Sequence, residues 1–539
     1  MRGADLVIQT LIEAGVTTIF AVSGNQVMPV FDACYETNIR LVHVRHEASA
    51  VYMADAWAQL TGEIGVALVP AATGFLNALG PIYPAKRAES PVLLLSGDSP
   101  LAFDGLGAFQ EMDQVAASAS LTKFSSRPMT ADEMGSDIAK AIKVAQAGRP
   151  GPVHIALAHD LLNAATDSSR LPAPSDFVPA KRSFSRDAAA AVMELLAGSQ
   201  RPLILTGPQL SPSREKSLHQ NMAEAMNVPF ITMENPRGLS DPCLGAIADV
   251  MPKADFVVFL GKEVDFTSSF AKQPAFDAGC RFVVIDPEQD AIEQAQRVLG
   301  DRLLLAYQAD SKGALLELLR VGVEDAERAD WFQEVANAVS YRNVPDSVPG
   351  VSPYQLCASV QRVLDAAKDP VLIVDGGEFG QWGQAYLNAN SRLINGISGA
   401  IGGGLCFAIA AQLACPEATV VALMGDGTAG FHFSEFDTAV RNNANIIVVI
   451  GNDSRWNAEL LIQTRDYGKE RLIGCELNPE ARYDLAASGF GCHGEFVEVV
   501  EQLDAALDRS IKSKRPACIN VVLNGQPAPD FSSKNLSVK

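Results

Sequence analysis

The chain has 539 residues, 48% of them apolar and 20% charged, with 42 Gly and 30 Pro. That length holds about three ordinary domains and excludes a peptide or a small disulfide scaffold, while the composition excludes a disordered chain. A formal charge of −20 repels phosphate backbones and anionic lipid, so neither nucleic acid nor a membrane surface is an expected partner.

Nine cysteines are dispersed without a C-x-x-C pair, and the seven histidines show neither H-x-x-x-H nor H-E-x-x-H spacing. This suits buried or surface thiols in a reducing compartment, hence a soluble cytoplasmic protein, and gives a zinc site no support. Met1-Arg2-Gly3-Ala4-Asp5 lacks a signal core, so no leader is expected, and the apolar runs are too short to span a bilayer.

In chain order, short Val/Ile/Leu runs alternate with Ala-rich helical patterns. Val66–Val69 and Val92–Leu95 come first, followed by Leu203–Leu205, Phe256–Leu260 and Phe282–Ile285. Val371–Val374, Val420–Met424 and Ile446–Ile450 complete the series. Continuous apolar strands between helices predict parallel sheets covered on both faces, hence an α/β chain of doubly wound sheets. Polar, proline-bearing stretches at 163–185 and 341–353 predict linkers. They divide the chain into domains 1–165, 185–340 and 353–539.

The strongest local signal is the strand Val420–Met424 running into Gly425-Asp426-Gly427-Thr428. Open α/β sheets bind ligands at the carboxyl ends of their strands. Gly427 and Thr428 would turn backbone N–H groups toward an anion at the following helix start. A carboxylate beside an anion site needs a cation between them, and magnesium suits oxygen ligands. The next strand ends in Gly451-Asn452-Asp453-Ser454-Arg455, and one strand–helix–strand unit returns Asp453 beside Asp426. Read alone, Gly-Asp-Gly is also an ordinary turn. A second Gly-rich run, Asn395–Gly404, superficially suggests a dinucleotide turn, with close helix packing as the alternative. Asp286, at the end of a central strand, could hold a ribose.

Gly425-Asp426-Gly427 with the later Asn452-Asp453 resembles the motif of thiamine-diphosphate- and magnesium-dependent enzymes. Val44-Arg45-His46-Glu47-Ala48 is similar to the segment carrying that family's cofactor-activating glutamate, and Phe109-Gln110-Glu111-Met112-Asp113 to its active-site glutamine segment. The resemblance covers essentially the whole chain, ordered as pyrimidine-binding, central and diphosphate-binding domains. It is strongest to the branch of acetolactate synthases, benzaldehyde lyase and 2-hydroxyacyl-CoA lyases.

The resemblance implies roles by position. Asp426, Asp453 and the Arg455 carbonyl would hold Mg2+ against the diphosphate of thiamine diphosphate, with Asn452 as the alternative to Asp453. Ile401 would be the apolar wedge under the bent cofactor, and the Gly399 carbonyl would accept from its amino group. Glu47 would meet the pyrimidine nitrogen in an apolar pocket where a carboxyl can share its proton with the ring. Gln26 stands where benzaldehyde lyase has a catalytic histidine. It cannot carry a proton, so Gln110 would act as an orienting dipole. By the same analogy Trp456, Leu460–Ile462 and Trp382 would roof the substrate pocket, with ordinary core packing as the alternative for each.

The implied activity is C–C bond cleavage or formation on a 2-oxo acid or 2-hydroxy carbonyl compound, in the manner of acetolactate synthase. A 2-hydroxyacyl-CoA lyase or oxalyl-CoA decarboxylase is the alternative. The tail Asp530–Lys539 carries only two Lys, few for a CoA substrate. A nucleotide-dependent oxidoreductase is the alternative of another class. No flavin is expected, because no phosphate-binding Gly cluster stands out in the central domain. In the family, each active centre draws on two subunits, implying a homodimer at least and commonly a tetramer.

Overall fold

The computed structural model describes residues 1–215, 223, 225–322, 328–346 and 348–532, so Lys534 and Lys539 of the tail lie outside the described residues. Three sheets, every pairing in them parallel, follow one another along the chain. The first contains β1 (Thr18–Ala21), β2 (Arg40–His43), β3 (Gly65–Val69), β4 (Val92–Asp98), β5 (Ser125–Ser126) and β6 (Val153–Ala158), in the order β2-β1-β3-β4-β6-β5. The central sheet contains β7 (Pro202–Thr206), β8 (Phe230–Thr232), β9 (Phe256–Leu260), β10 (Arg281–Asp286) and β11 (Leu303–Gln308), ordered β11-β10-β9-β7-β8. The third contains β12 (Pro370–Val374), β13 (Ser391–Ile394), β14 (Thr419–Gly425), β15 (Ile447–Asn452), β16 (His493–Val497) and β17 (Ala517–Val522), ordered β13-β12-β14-β15-β17-β16. Chain order reverses within each sheet. That is the doubly wound arrangement, and it opens a crevice at the carboxyl ends of the strands.

The first and third sheets share one core. Helix Glu47–Thr61 packs along helix Gly404–Ala414, and Ala50–Met53 of one and Leu405–Ala411 of the other belong to a single buried cluster. Both helices are Ala-rich, so they approach closely with little loss of side-chain entropy. Tyr52 meets Phe407 edge-to-face at 6.0 Å across this seam. The contact ties the amino end of the Glu47 helix to the sheet that carries Asp426. Among the described residues, no helix is long and apolar enough to cross a membrane.

The central crevice is closed by side chains from the first sheet's part of the chain. Arg149 pairs with Glu89, and its Nη2 lies 2.5 Å from Asp286 Oδ2. A Cβ on Gly207, just after β7, would sit 2.4 Å from the Gly261 carbonyl, just after β9. Asp286 is therefore not available to a ribose, contrary to the sequence expectation. A buried carboxylate needs a counter-charge, and Arg149, 137 residues away in sequence, supplies it.

Candidate active site

Strands β14 and β15 are in register, with Gly425 opposite Gly451, so Asp426 and Asp453 emerge side by side beyond the sheet edge. Both line one pocket together with Ile401, Gly425, Gly427, Thr428, Arg455 and Trp456. Seven of the residues singled out in the diphosphate half thus meet around one space with Asp453. Gly399 is not on its wall, although its left-handed φ of 69° turns the loop that delivers Ile401.

The floor requires glycine. A Cβ on Gly427 would lie 2.8 Å from the Trp456 ring, and one on Gly376 would lie 2.6 Å from Ile401 Cγ2. These distances leave no room for a methyl group, and the bare backbone stays open to a ligand. The ring of Trp456 stands at right angles to Phe431, 6.2 Å between centroids. Trp456 begins the wall that continues through Asn457, Ala458 and Glu459.

The electrostatics call for a cation. Backbone N–H groups of Gly427, Ser454 and Arg455 approach the Asp426 carboxylate, yet its buried Oδ2 has no hydrogen-bond partner. Burial pushes the Asp426 carboxyl up to about 6. Burial, and then the charge of Asp426, push Asp453 up to about 7. Two carboxylates that raise one another's proton affinity beside an orphaned oxygen fit a hard divalent cation. Among the described residues, no group of three or more His, Cys, Asp or Glu is placed to hold a metal. Two acids would therefore need a carbonyl and a ligand oxygen to complete an octahedron. Asn452 is committed elsewhere. Its amide donates to Asn520 Oδ1 at 3.1 Å and its oxygen accepts from Ser454 N at 3.1 Å.

Glu47, Gln26 and Gln110 form a second group. Gln26 Nε2 donates to Gln110 Oε1 at 2.5 Å, and Gln110 Nε2 lies 3.4 Å from Thr73 Oγ1. Asn77 Nδ2 donates to Glu47 Oε2 at 3.1 Å. Thr73 and Asn77 occupy successive turns of helix Thr73–Arg87, so that helix collects all three sequence-predicted residues. Within the single chain Glu47 is half-buried and bonded to an amide, rather than enclosed by apolar side chains. Among the described residues, no hydrogen bond joins this group to the Asp426 pocket.

Sequence reasoning missed several residues here. Glu378 lines the pocket, pairs with Arg237 at 2.9 Å and accepts from Ala528 N at 2.6 Å. Asp375 is fully buried. It accepts from the backbone N–H groups of Gly376, Gly402 and Gly404 and from the Asn395 amide, fixing the loop that carries Ile401. The run Val371–Val374 ending in Asp375-Gly376-Gly377 was a visible signal of the same strand-end kind as Met424–Gly427. Trp382, in contrast, is a core residue. It is 4% exposed and stacks on Tyr386 at 5.7 Å, because its position in helix Gly377–Tyr386 faces the sheet. Leu460, Leu461 and Ile462 also lie off the pocket wall, which ends at Glu459.

A glycine floor open to an anion, two acids at neighbouring strand ends and an acid on a separate helix suit an enzyme that uses a diphosphate cofactor. The family models agree: "Thiamine pyrophosphate enzyme, N-terminal TPP binding domain" matches residues 1–117, the central domain of the same family 189–304, and its "C-terminal TPP binding domain" 375–521. The chain belongs to the thiamine-pyrophosphate enzyme family. It is similar to the acetolactate synthase large subunit IlvG of Mycobacterium tuberculosis, 28% identical over 537 residues covering 97% of this chain and 96% of that protein. The catabolic acetolactate synthase of Raoultella terrigena is 28% identical over 557 residues, 98% of this chain and 96% of that protein. The 2-hydroxyacyl-CoA lyase of Arabidopsis thaliana is 26% identical over 557 residues, 97% of this chain and 95% of that protein. This is a thiamine-diphosphate-dependent transferase or lyase of the acetolactate synthase and 2-hydroxyacyl-CoA lyase branch.

Proposed function

We propose that the chain is a magnesium-dependent carboligase or lyase acting on a 2-oxo acid or 2-hydroxy carbonyl compound, in the manner of an acetolactate synthase. The observation that carries this reading is the buried, orphaned Oδ2 of Asp426, a residue that lines one pocket with Asp453 and Ile401. Asp426, Asp453 and the Arg455 carbonyl would hold Mg2+ and, through it, the diphosphate. When bound, the cofactor supplies an electron sink beside a carbonyl carbon, so that a bond to that carbon can break or form. The chain's own residues do the rest. Ile401 is β-branched and stiff at χ1, which makes it a firm support under a bent ligand. Glu47 would hold a proton at the pyrimidine nitrogen, with Asn77 orienting its carboxylate. Gln26 and Gln110 offer paired dipoles to a carbonyl oxygen, and Trp456 with Phe379 excludes water.

Among the described residues, Arg455 is the one cationic side chain on the pocket wall, few for a polyanionic CoA thioester, which supports the acetolactate-synthase-like reading over the CoA lyase. Asp286 is spent on Arg149, which argues against the nucleotide-dependent oxidoreductase. We further infer domains 1–165, 185–340 and 353–539, and a homodimer or tetramer in which Glu47 of one subunit serves the Asp426 pocket of another. The separation of the two residue groups within one chain supports this assembly. Nine dispersed cysteines, seven of them buried, suit a cytoplasmic protein. The deciding experiment is a carbonyl-substrate panel with thiamine diphosphate and Mg2+, read for carbon dioxide release and acyloin products. Turnover of 2-hydroxyacyl-CoA with none of 2-oxo acids would overturn the substrate assignment, and activity at full rate in a sedimenting monomer would overturn the shared site.

A further inference from the structure

Glu435 has no role in the chemistry above, yet its carboxylate is fully buried. Among the described residues, no Lys or Arg side chain pairs with it. What offsets its burial is a ring of donors. The Arg45 backbone N–H reaches Oε1 at 3.0 Å and Oε2 at 3.3 Å, and Thr438 Oγ1 donates to Oε2 at 2.6 Å. The His46 backbone N–H and the Ser49 hydroxyl also reach this carboxylate. Arg45 and His46 are the two residues immediately ahead of Glu47, which opens its helix. The donor just after Glu47, the Ala48 N–H, is held by His46 Nδ1 at 3.2 Å. Helix starts leave such donors unsatisfied and favour a negative charge.

The neighbouring contacts run the same way. Arg441 Nη2 donates to the His43 carbonyl at 2.9 Å, Arg40 Nη2 lies 3.3 Å from Asn442 Oδ1, and Ser49 Oγ lies 3.2 Å from His432 Nδ1. The stretch His432–Asn442, downstream of Asp426, therefore grips residues 40–49 along their length. We propose that Glu435 is a positioning residue, reaching from the third sheet's part of the chain to fix the helix start and so aim the Glu47 carboxylate. This rests on the reading of Glu47 as the acid that meets the cofactor. A charge is needed because a carboxylate accepts from all these donors at once. An amide of the same shape turns N–H2 against N–H or O–H.

The test compares Glu47→Gln, Glu435→Gln and the double variant of the full chain loaded with thiamine diphosphate and Mg2+. Two readouts are used: hydrogen–deuterium exchange at the cofactor C2, and backbone amide exchange of residues 45–49 in the cofactor-free protein. Glu435→Gln should slow C2 exchange about tenfold and speed amide exchange at 45–49 about tenfold, the loss of one charge-assisted hydrogen bond. The double variant should exchange C2 no more slowly than Glu47→Gln, because a positioning residue acts only through the group it aims. Thr438→Val removes one donor from Oε2 and should shift both readouts the same way by a smaller factor, which keeps the test intact if Glu435→Gln fails to fold. Multiplied losses in the double variant, or unchanged amide exchange, overturn the proposal. Slow C2 exchange in Glu47→Gln beside the wild-type rate in Glu435→Gln overturns it alone. The wild-type rate in Glu47→Gln overturns the reading of Glu47, and this proposal with it.

Discussion

His154 on β6 makes the pH response of the first sheet predictable. It is fully buried, its Nε2 lies 2.8 Å from Ser96 Oγ, and its Nδ1 is shared with Ser118 and Ser125 at 3.0 and 2.9 Å. The Phe75 ring covers it at 4.7 Å. With hydroxyls and a ring but no carboxylate around it, burial drives its pKa down to about 3. The folded state therefore binds this proton more weakly than the unfolded state, whose histidine titrates near the ordinary 6.5. Stability from this group is complete above that ordinary value and is lost as pH falls through it toward about 3. Each pH unit within the window removes ~1.4 kcal/mol, so acidification from 6.5 to 4.5 should cost roughly 2–3 kcal/mol. A chain with several domains does not unfold in one step, so the measurement must be local. Amide exchange of Val153–Ala158 should report opening that becomes easier by that amount in the wild type. In His154→Gln it should start easier but stay nearly flat with pH. Parallel pH profiles in the two proteins would refute the reasoning, as would an imidazole resonance titrating near 6.5.

Three further outcomes follow from the site and its frame. Asp426→Asn should weaken Mg2+-dependent thiamine diphosphate binding at least a hundredfold by calorimetry, about 3 kcal/mol. The cofactor-free protein should melt no lower, since a buried carboxylate with one unpartnered oxygen is removed. Gly427→Ala pushes a methyl group to 2.8 Å from Trp456. Displacing that ring should cost about 1–3 kcal/mol, read as weaker cofactor binding with a shifted Trp fluorescence on titration. Arg149→Met strands Glu89 and Asp286 as uncompensated buried acids. It should destabilise the junction of the first and central sheets by about 3–5 kcal/mol, seen as an earlier first transition in urea. Loss of less than ~1 kcal/mol would show that water reaches this cluster.

Local sequence was sufficient for most strands whose two faces are both buried. The strands read from apolar runs, β3, β4, β7, β9, β10, β12, β14 and β15, all lie inside their sheets with neighbours on both sides. The edges β2, β5, β8, β11, β13 and β16 were not read, and an edge is half solvated and tolerates Arg40, His493 or Gln308. The interior β1, β6 and β17 were missed too, their short runs holding Thr18, His154 or Asn520. Asp426 and Asp453 were readable because the spacing of one strand–helix–strand unit puts both at adjacent strand ends. Only the tertiary structure decided what depends on partners far along the chain. Arg149 takes Asp286 out of any ribose site, helix phase turns Trp382 into the core, and Glu435 reaches back 390 residues to Arg45. Periodicity reports how a residue faces its own element, whereas a buried charge is settled by whichever counter-group the packed fold brings to it.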